Sequence, residues 1–126
     1  MIEVTLPWPP TALNPNTARR LHWSKRAKAA RHYKADCAWY CRAAKLRPVA
    51  FTEAAVAITF HPPNAQRRDL DNMLAAIKAG LDAISIAIGV DDSLFALSIC
   101  RGSPIAGGAV VVRISDAGAG VEERVA

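Results

Sequence analysis

Aspartates on either side of one helical segment are the residues with the clearest chemical potential in this sequence. Asp69 and Asp71 precede or begin the segment, and Asp91 and Asp92 follow its end. Carboxylates gathered in one place repel one another and remain ionised together only when a cation lies among them. Oxygen ligands without His or Cys favour Mg²⁺, with Mn²⁺ as the alternative. Such an ion can activate water and orient a phosphodiester, so the pattern indicates nuclease chemistry.

The first pair of acids lies at a predicted junction between a strand and a helix. Within a regular helix, side chains two residues apart diverge by about 200°. Where the chain is not yet helical, the carboxylates of Asp69 and Asp71 can instead point toward one spot. If the turn at Asp91 and Asp92 folds back beside this junction, three or four carboxylates meet there. We therefore expect the two pairs to converge within the fold.

Cations adjoin these acids along the chain. Arg67 and Arg68 come directly before Asp69 and could hold a phosphate through charge-assisted hydrogen bonds. On the following helix, Lys78 could stabilise charge that develops on a phosphate, or simply pair with Asp82 one turn later. The residues alone leave these two roles of the lysine open.

The four aspartates also have purely structural explanations. Asp69 could be the N-cap of the helix, and Asp71 would then favour the positive end of the helix dipole. Asp91 and Asp92 could be ordinary turn residues after Gly89. Capping and metal binding therefore both remain open at this point.

A basic segment precedes the acidic one. Between Arg19 and Arg47 lie ten of the sixteen Lys and Arg residues, against the single acid Asp36, in a chain of formal net charge +5. This polarity suits an anionic polymer such as nucleic acid as partner, and a solvated helix face is the alternative explanation.

The elements that must position these groups follow from hydrophobic periodicity and from Pro and Gly positions. The sequence predicts a strand over 3–6, a helix over 24–45, a strand over 49–60, a helix from 69 or 70 to Gly89, and a terminal hairpin of strands 94–100 and 109–114. Trp8 and Trp39 are expected in the core, whereas Trp23 is undecided. The order β-α-β-α-β-β predicts a single α+β domain, residues 1–116, with a mixed sheet carrying helices on one side. Residues 117–126 are expected to form a poorly ordered tail.

The composition, the cysteine spacing and the N-terminal residues predict where in the cell the protein is found. A hydrophobic fraction of 52% with 21% charged residues fits a globular chain, and the apolar stretches are too short to span a bilayer. Three cysteines without a CxxC pair predict reduced thiols. The N-terminus lacks the features of a secretory signal, so we expect a cytoplasmic protein without a membrane partner.

Taken together, these motifs resemble the RusA-type Holliday-junction resolvases, a family common in prophages. The likeness extends from about residue 3 to 115 and rests on four features: the opening Leu-Pro-Trp-Pro-Pro followed by an asparagine, the basic helix with Tyr33, the Arg-Arg-Asp-Leu-Asp-Asn core at 67–72, and the later Asp-Asp pair. The resemblance implies a Mg²⁺-dependent homodimer that binds four-way DNA junctions and nicks two opposed strands during recombination and repair.

By matching position, the resemblance implies specific roles. Metal ligands and catalytic acids would be Asp69, Asp71 and Asp92, with Asp91 as a further ligand. The family pattern has a lysine four positions after the second aspartate, where this chain has Ala75, so Lys78 would act as a displaced catalytic substitute. The expected DNA-binding residues are Arg67, Arg68, Lys25, Lys28, Arg31, Lys34 and Asn16.

Three other functions remain open on the sequence. The chain could bind branched DNA with little or no catalysis, because Ala75 replaces the family lysine. It could be a nuclease of the same chemistry that cuts flaps or forks. A purely structural protein is the third.

Overall fold

The computed structural model describes residues 1–118, and its centre is a mixed four-stranded sheet. The strands are β1 (Ile2–Leu6), β2 (Ala54–His61), β3 (Phe95–Arg101) and β4 (Ala109–Asp116), arranged in the order β1-β4-β2-β3. β4 runs antiparallel to both of its neighbours, whereas β2 and β3 are parallel. The predicted α+β class with a mixed sheet is confirmed.

Four α-helices and two short 3₁₀ helices complete the described chain. The α-helices are α1 (Pro15–Ala18), α2 (Trp23–Ala43), α3 (Leu70–Ala76) and α4 (Lys78–Ile88), and the 3₁₀ helices span Thr11–Leu13 and Asp92–Leu94. None of the helices within residues 1–118 has the length and hydropathy that crossing a membrane requires.

One face of the sheet forms the core with the helices. In β2 the buried side chains alternate with more exposed ones, as the period of a strand requires, and the same holds in β4. Phe60 pairs with Val110 and Ile58 with Val112, and all four are essentially inaccessible to solvent. Each such side chain contributes about 1.5–3 kcal/mol when fully buried. The core thus fixes which face of each strand points inward.

The predicted terminal hairpin is wrong, because β2 lies between β3 and β4. After β3, the loop over residues 102–108 carries the chain past the end of β2. Two backbone hydrogen bonds hold it there, from Gly102 N–H to the Phe60 carbonyl (2.8 Å) and from Ile105 N–H to the Pro62 carbonyl (2.9 Å). Glycine loops suit hairpins and longer connections equally well, so the local sequence could not distinguish them.

The predicted helix from 69 or 70 to Gly89 is divided at Ile77. Ile77 has φ −101° and ψ 9°, outside the helical region, and its N–H bonds to the Leu74 carbonyl (3.2 Å). The side chain of Ile77 is fully buried, so the apolar stripe continues through the break. The hydrophobic periodicity of the sequence therefore gave no indication of the break. The predicted end is confirmed, since Gly89 caps α4 with a φ of 72°.

The basic helix α2 begins at Trp23, one residue before the predicted start. Its N-cap is His22, whose Nδ1 accepts the Ser24 N–H at 3.2 Å. Tyr33 is buried, and its hydroxyl donates to the Pro7 carbonyl at 2.7 Å, which ties the helix to the end of β1. Trp39 is 58% exposed, so its expected core position is wrong. The helix α1 lies between β1 and α2, where the sequence predicts neither a strand nor a helix.

The remaining expectations concern cysteines, tryptophans and the tail. Cys37, Cys41 and Cys100 are all free thiols, as predicted. Trp8 is half-buried and packs edge-on against Phe60 in the core, with ring centroids 6.4 Å apart. Most of the predicted tail, residues 119–126, lies outside the described part of the chain.

A substitution at Gly80 tests the close approach of α4 to α2 and β1. A Cβ at Gly80 would lie 3.1 Å from Cys37 Sγ and 3.2 Å from the Leu6 and Tyr33 side chains. We expect Gly80→Val to lower the free energy of unfolding by about 1–3 kcal/mol through overpacking, as measured by urea denaturation. Ala79→Val, at the adjacent half-buried position, should cost less; equal effects would contradict the contact.

Candidate functional site

The loop after β2 is held in place by two arginines, one within the loop and one at the end of β3. Arg68 donates through Nη1 to the carbonyls of Asn64 (3.3 Å) and Gln66 (3.0 Å). Arg101, the last residue of β3, donates to the Arg68 carbonyl at 2.8 Å. These hydrogen bonds fix the loop to the end of the parallel strand pair.

This loop meets the N-terminal region in a polar cleft, which we term the Asn–Arg cleft. The cleft has a volume of about 260 Å³ and is lined by Asn14, Asn16, Arg67, Arg68, Asp69, Asn72 and Met73. Two segments that are far apart in the sequence thus supply one set of polar side chains.

Local hydrogen bonds position the two asparagines of this cleft. Asn14 Oδ1 accepts the Asn16 N–H at 2.9 Å and caps α1. Asn16 Oδ1 in turn accepts from the Arg19 guanidinium at 2.9 Å. Among the predicted DNA-binding residues, the structure brings together Asn16, Arg67 and Arg68.

A third arginine belongs to this surface, although sequence reasoning missed it. A neighbouring cleft of about 470 Å³ lies between Arg67, Arg68 and Arg101, with Asp69 at its border. The sequence did place Arg101 at the end of a predicted strand. That position indicates a site residue only when β3 is known to pair in parallel with β2, because the ends of the two strands then lie side by side.

Asp69 and Asp71 lie at the start of α3, as predicted. Asp69 occupies the N-cap position with extended backbone, yet its side chain makes no capping hydrogen bond. The capping explanation therefore fails for this carboxylate, which is exposed and borders the Asn–Arg cleft. Asp71 is exposed in the first turn, where the helix dipole favours an anion.

The second acid group contains Asp82 as well as the predicted pair. Asp91 Oδ1 accepts the Ser93 N–H at 2.9 Å, and this hydrogen bond lowers the pKa of Asp91. The pKa of Asp92 is raised by desolvation, by a hydrogen bond with Asp82 and by the charges of Asp91 and Asp82. The sequence placed Asp82 only on the Lys78 stripe and gave it no site role.

The expected convergence of the two acid pairs within one chain is wrong. Asp69 lies beside Arg101 at the end of β3, whereas Asp92 immediately precedes the start of β3. Seven residues of parallel strand span about 23 Å. Within residues 1–118, no three His, Cys, Asp or Glu side chains come together as metal ligands. The carboxylates nevertheless have the chemistry that Mg²⁺ prefers, since this ion is usually bound by one or two carboxylates together with waters and substrate oxygens.

Lys78 and the basic residues of α2 do not line the Asn–Arg cleft. Lys78 begins α4 and lines a groove of about 380 Å³ with Trp23, Arg26 and Ala75. The predicted DNA contacts on α2 are Lys25, Lys28, Arg31 and Lys34. At three-residue steps these side chains drift by about 60° each around the helix, so they form a spiral rather than one face.

No protein-family model matches the chain. A protein of Xylella fastidiosa (strain Temecula1 / ATCC 700964), described as an uncharacterized protein, is 36% identical over 98 residues, which cover 75% of this chain and 63% of that protein. The chain therefore spans less than two thirds of the length of this relative.

Neutralising Asp82 tests the acid contact at the end of α4. Because the pKa of Asp92 is raised in the folded state, its contribution to stability falls as pH rises through the range between its unfolded and folded pKa values. We expect Asp82→Asn to lower the pKa of Asp92 in a carboxyl ¹³C NMR titration. The variant should also be more stable than wild type at neutral pH, and this difference should fade in acid. Asp36→Asn is the control, and an unchanged Asp92 titration in Asp82→Asn would contradict the contact.

Proposed function

We propose that the protein is a metal-dependent, structure-selective DNA endonuclease of the cytoplasm that resolves four-way junctions by paired nicks in recombination and repair. The observation that carries the proposal is the Asn–Arg cleft. It joins Asn16 with Arg67, Arg68 and Asp69, and these residues come from two of the segments that resemble the RusA-type resolvases.

Phosphate binding is the first step that this surface supports. Guanidinium groups match the geometry of phosphate oxygens and can bind them through two parallel hydrogen bonds. Arg67 is exposed, and no ion pair satisfies its charge within residues 1–118. Asp69, at the border of the same cleft, would repel a phosphate unless a cation lay between them. A phosphodiester beside a carboxylate therefore favours a divalent cation at this point.

A second copy of the chain can supply the missing acids. A two-fold axis across α3 and α4 would set two copies antiparallel, and it would bring Asp71 of one copy toward Asp82 and Asp92 of the other. Such a contact uses the same patch on both copies. Lys78 and Asp82 lie one turn apart on the exposed face, so antiparallel pairing opposes each lysine to the aspartate of the partner. The homodimer would then have two equivalent sites.

Exposed apolar side chains on α4 and on the edge strand β3 would suit the same contact. Ile86 on α4 is 69% exposed, and Leu97 on the edge strand β3 is 45% exposed. Large apolar side chains at a surface mark interaction sites when they lie together.

Two equivalent sites related by a two-fold axis match the approximate symmetry of a four-way junction. In each site Mg²⁺, or Mn²⁺, would supply a bound water of lowered pKa for the hydrolysis.

Mixing two inactive variants tests the shared site. We expect Asp71→Asn and Asp92→Asn each to abolish Mg²⁺-dependent nicking of a synthetic four-way junction while retaining junction binding. After subunit exchange in an equal mixture, half of the dimers contain both variants, and each of these keeps one intact site. The mixture should recover about a quarter of the wild-type sites and give single rather than paired nicks.

Two outcomes would contradict this arrangement. A mixture that stays inactive, although the subunits exchange and bind the junction, would mean that each site takes its acids from one chain. Wild-type protein that nicks no junction with Mg²⁺ or Mn²⁺ would remove the endonuclease proposal itself. Flap and fork substrates in the same assay distinguish a flap or fork nuclease, which would cut those substrates preferentially.

A branched-DNA-binding protein without catalysis is the second candidate, and the alanine at position 75 favours it. Ala75 lies one turn after Asp71 on α3, so a lysine there would lean toward the acid.

If Lys78 replaces that lysine, Lys78→Ala should reduce the nicking rate by about 100-fold, as for loss of one transition-state donor. The loss should be much smaller in an Ala75→Lys background. Salt-sensitive junction binding without nicks in both wild type and Ala75→Lys would support the non-catalytic candidate.

A further inference from the structure

A second cleft shares one wall with the Asn–Arg cleft, and we term it the Trp8 cleft. It has a volume of about 200 Å³ and is lined by Trp8, Pro9, Pro10, Thr11, Asn14, Thr17, Pro63, Arg68, Met73 and Ala76. Asn14, Arg68 and Met73 line both clefts. The two clefts therefore adjoin at these three residues.

The Trp8 indole is fixed before any ligand arrives. Its ring packs edge-on against Phe60 at an interplanar angle of 84°. The Arg68 guanidinium lies 5.8 Å from the ring centroid, which is a cation–π distance. The Gly108 backbone is so close that an added Cβ would come within 2.8 Å of the tryptophan. A wall that is already ordered loses little entropy when a ligand binds against it.

The chemistry of the lining indicates a flat, mostly apolar ligand with a polar edge. Tryptophan, methionine and three prolines offer apolar surface, and ring systems stack on such surfaces. Thr11 and Thr17 add hydroxyl groups that can donate or accept at the edge of a ring. The volume accommodates about one nucleobase.

We propose that the Trp8 cleft holds one unstacked nucleobase of the DNA strand whose phosphate lies in the Asn–Arg cleft. This inference rests on the proposed function, because the phosphate places the base at the entrance of the Trp8 cleft. Arg68 forms part of both binding surfaces, so it links base and phosphate in one nucleotide. Displacing a base costs least where it is already unpaired, which directs the contact to the branch point of a DNA substrate.

The test compares two single-stranded probes with the same number of phosphates, a thymidine oligonucleotide and an abasic chain of equal length. Fluorescence anisotropy should show that the wild-type protein binds the thymidine probe about tenfold more tightly, the effect of stacking one base. Thr17→Phe fills the cleft and should bind both probes with the weaker affinity. Thr52→Phe is the matched control, at an exposed threonine outside both clefts, and should behave as wild type.

The outcomes separate this inference from the proposed function. Equal, salt-sensitive binding of both probes by the wild type would overturn the base site and leave phosphate binding intact. A preference for thymidine that persists in folded Thr17→Phe would also overturn it. Should Thr17→Phe not fold, Thr11→Phe fills the cleft from an exposed position on its lining and carries the same expectation. If the wild-type protein binds neither probe nor a four-way junction, both proposals fail together.

Discussion

The parallel pairing of β2 with β3 is the constraint on which the rest of this structure depends. Two parallel neighbours require a connection that returns the chain from the end of one strand to the start of the other, and α3 and α4 provide it. Any residue at the beginning of this connection lies at the opposite end of the sheet from any residue at its end. Asp71 and Asp92 are therefore separated by the same geometry that makes the core, and no side-chain rotation can bring them together within one chain.

That separation gives the two ends of the connection different electrostatic surroundings. At the end of β3, arginines outnumber carboxylates, and hydrogen bonds from Arg68 and Arg101 to backbone carbonyls order the loop. At the start of β3, the carboxylates of Asp82 and Asp92 make a hydrogen bond to each other and no ion pair to a Lys or Arg side chain of the described residues, and the pKa of Asp92 rises. An arginine-rich surface and an acid cluster thus form separately. The antiparallel association that we propose would place one beside the other.

The fold could be predicted where local pattern and burial agree. The alternation through Val56, Ile58 and Phe60 identified β2, and the left-handed Gly89 marked the end of α4. Prediction failed where strands of similar pattern could pair in more than one way. The sequences of β3 and β4 fit a hairpin as well as they fit separate pairing with β2. It also failed at Ile77, because a buried side chain keeps the apolar period intact while the backbone leaves the helix. Periodicity reports which side of an element is buried and carries no information about which element lies next to it.

The sequence by itself determined the chemistry available to this protein: hard oxygen ligands in two pairs, arginines beside the first pair and a basic helix. Residue types and their spacing along the chain are sufficient for that, because they define charge, donor atoms and helix faces. Only the tertiary structure decided which groups share a surface. It joined Asn16 to Arg67 and Arg68, recruited Arg101, moved Asp82 beside Asp92, and kept Asp69 away from both. Such neighbours depend on strand order, which long-range pairing sets.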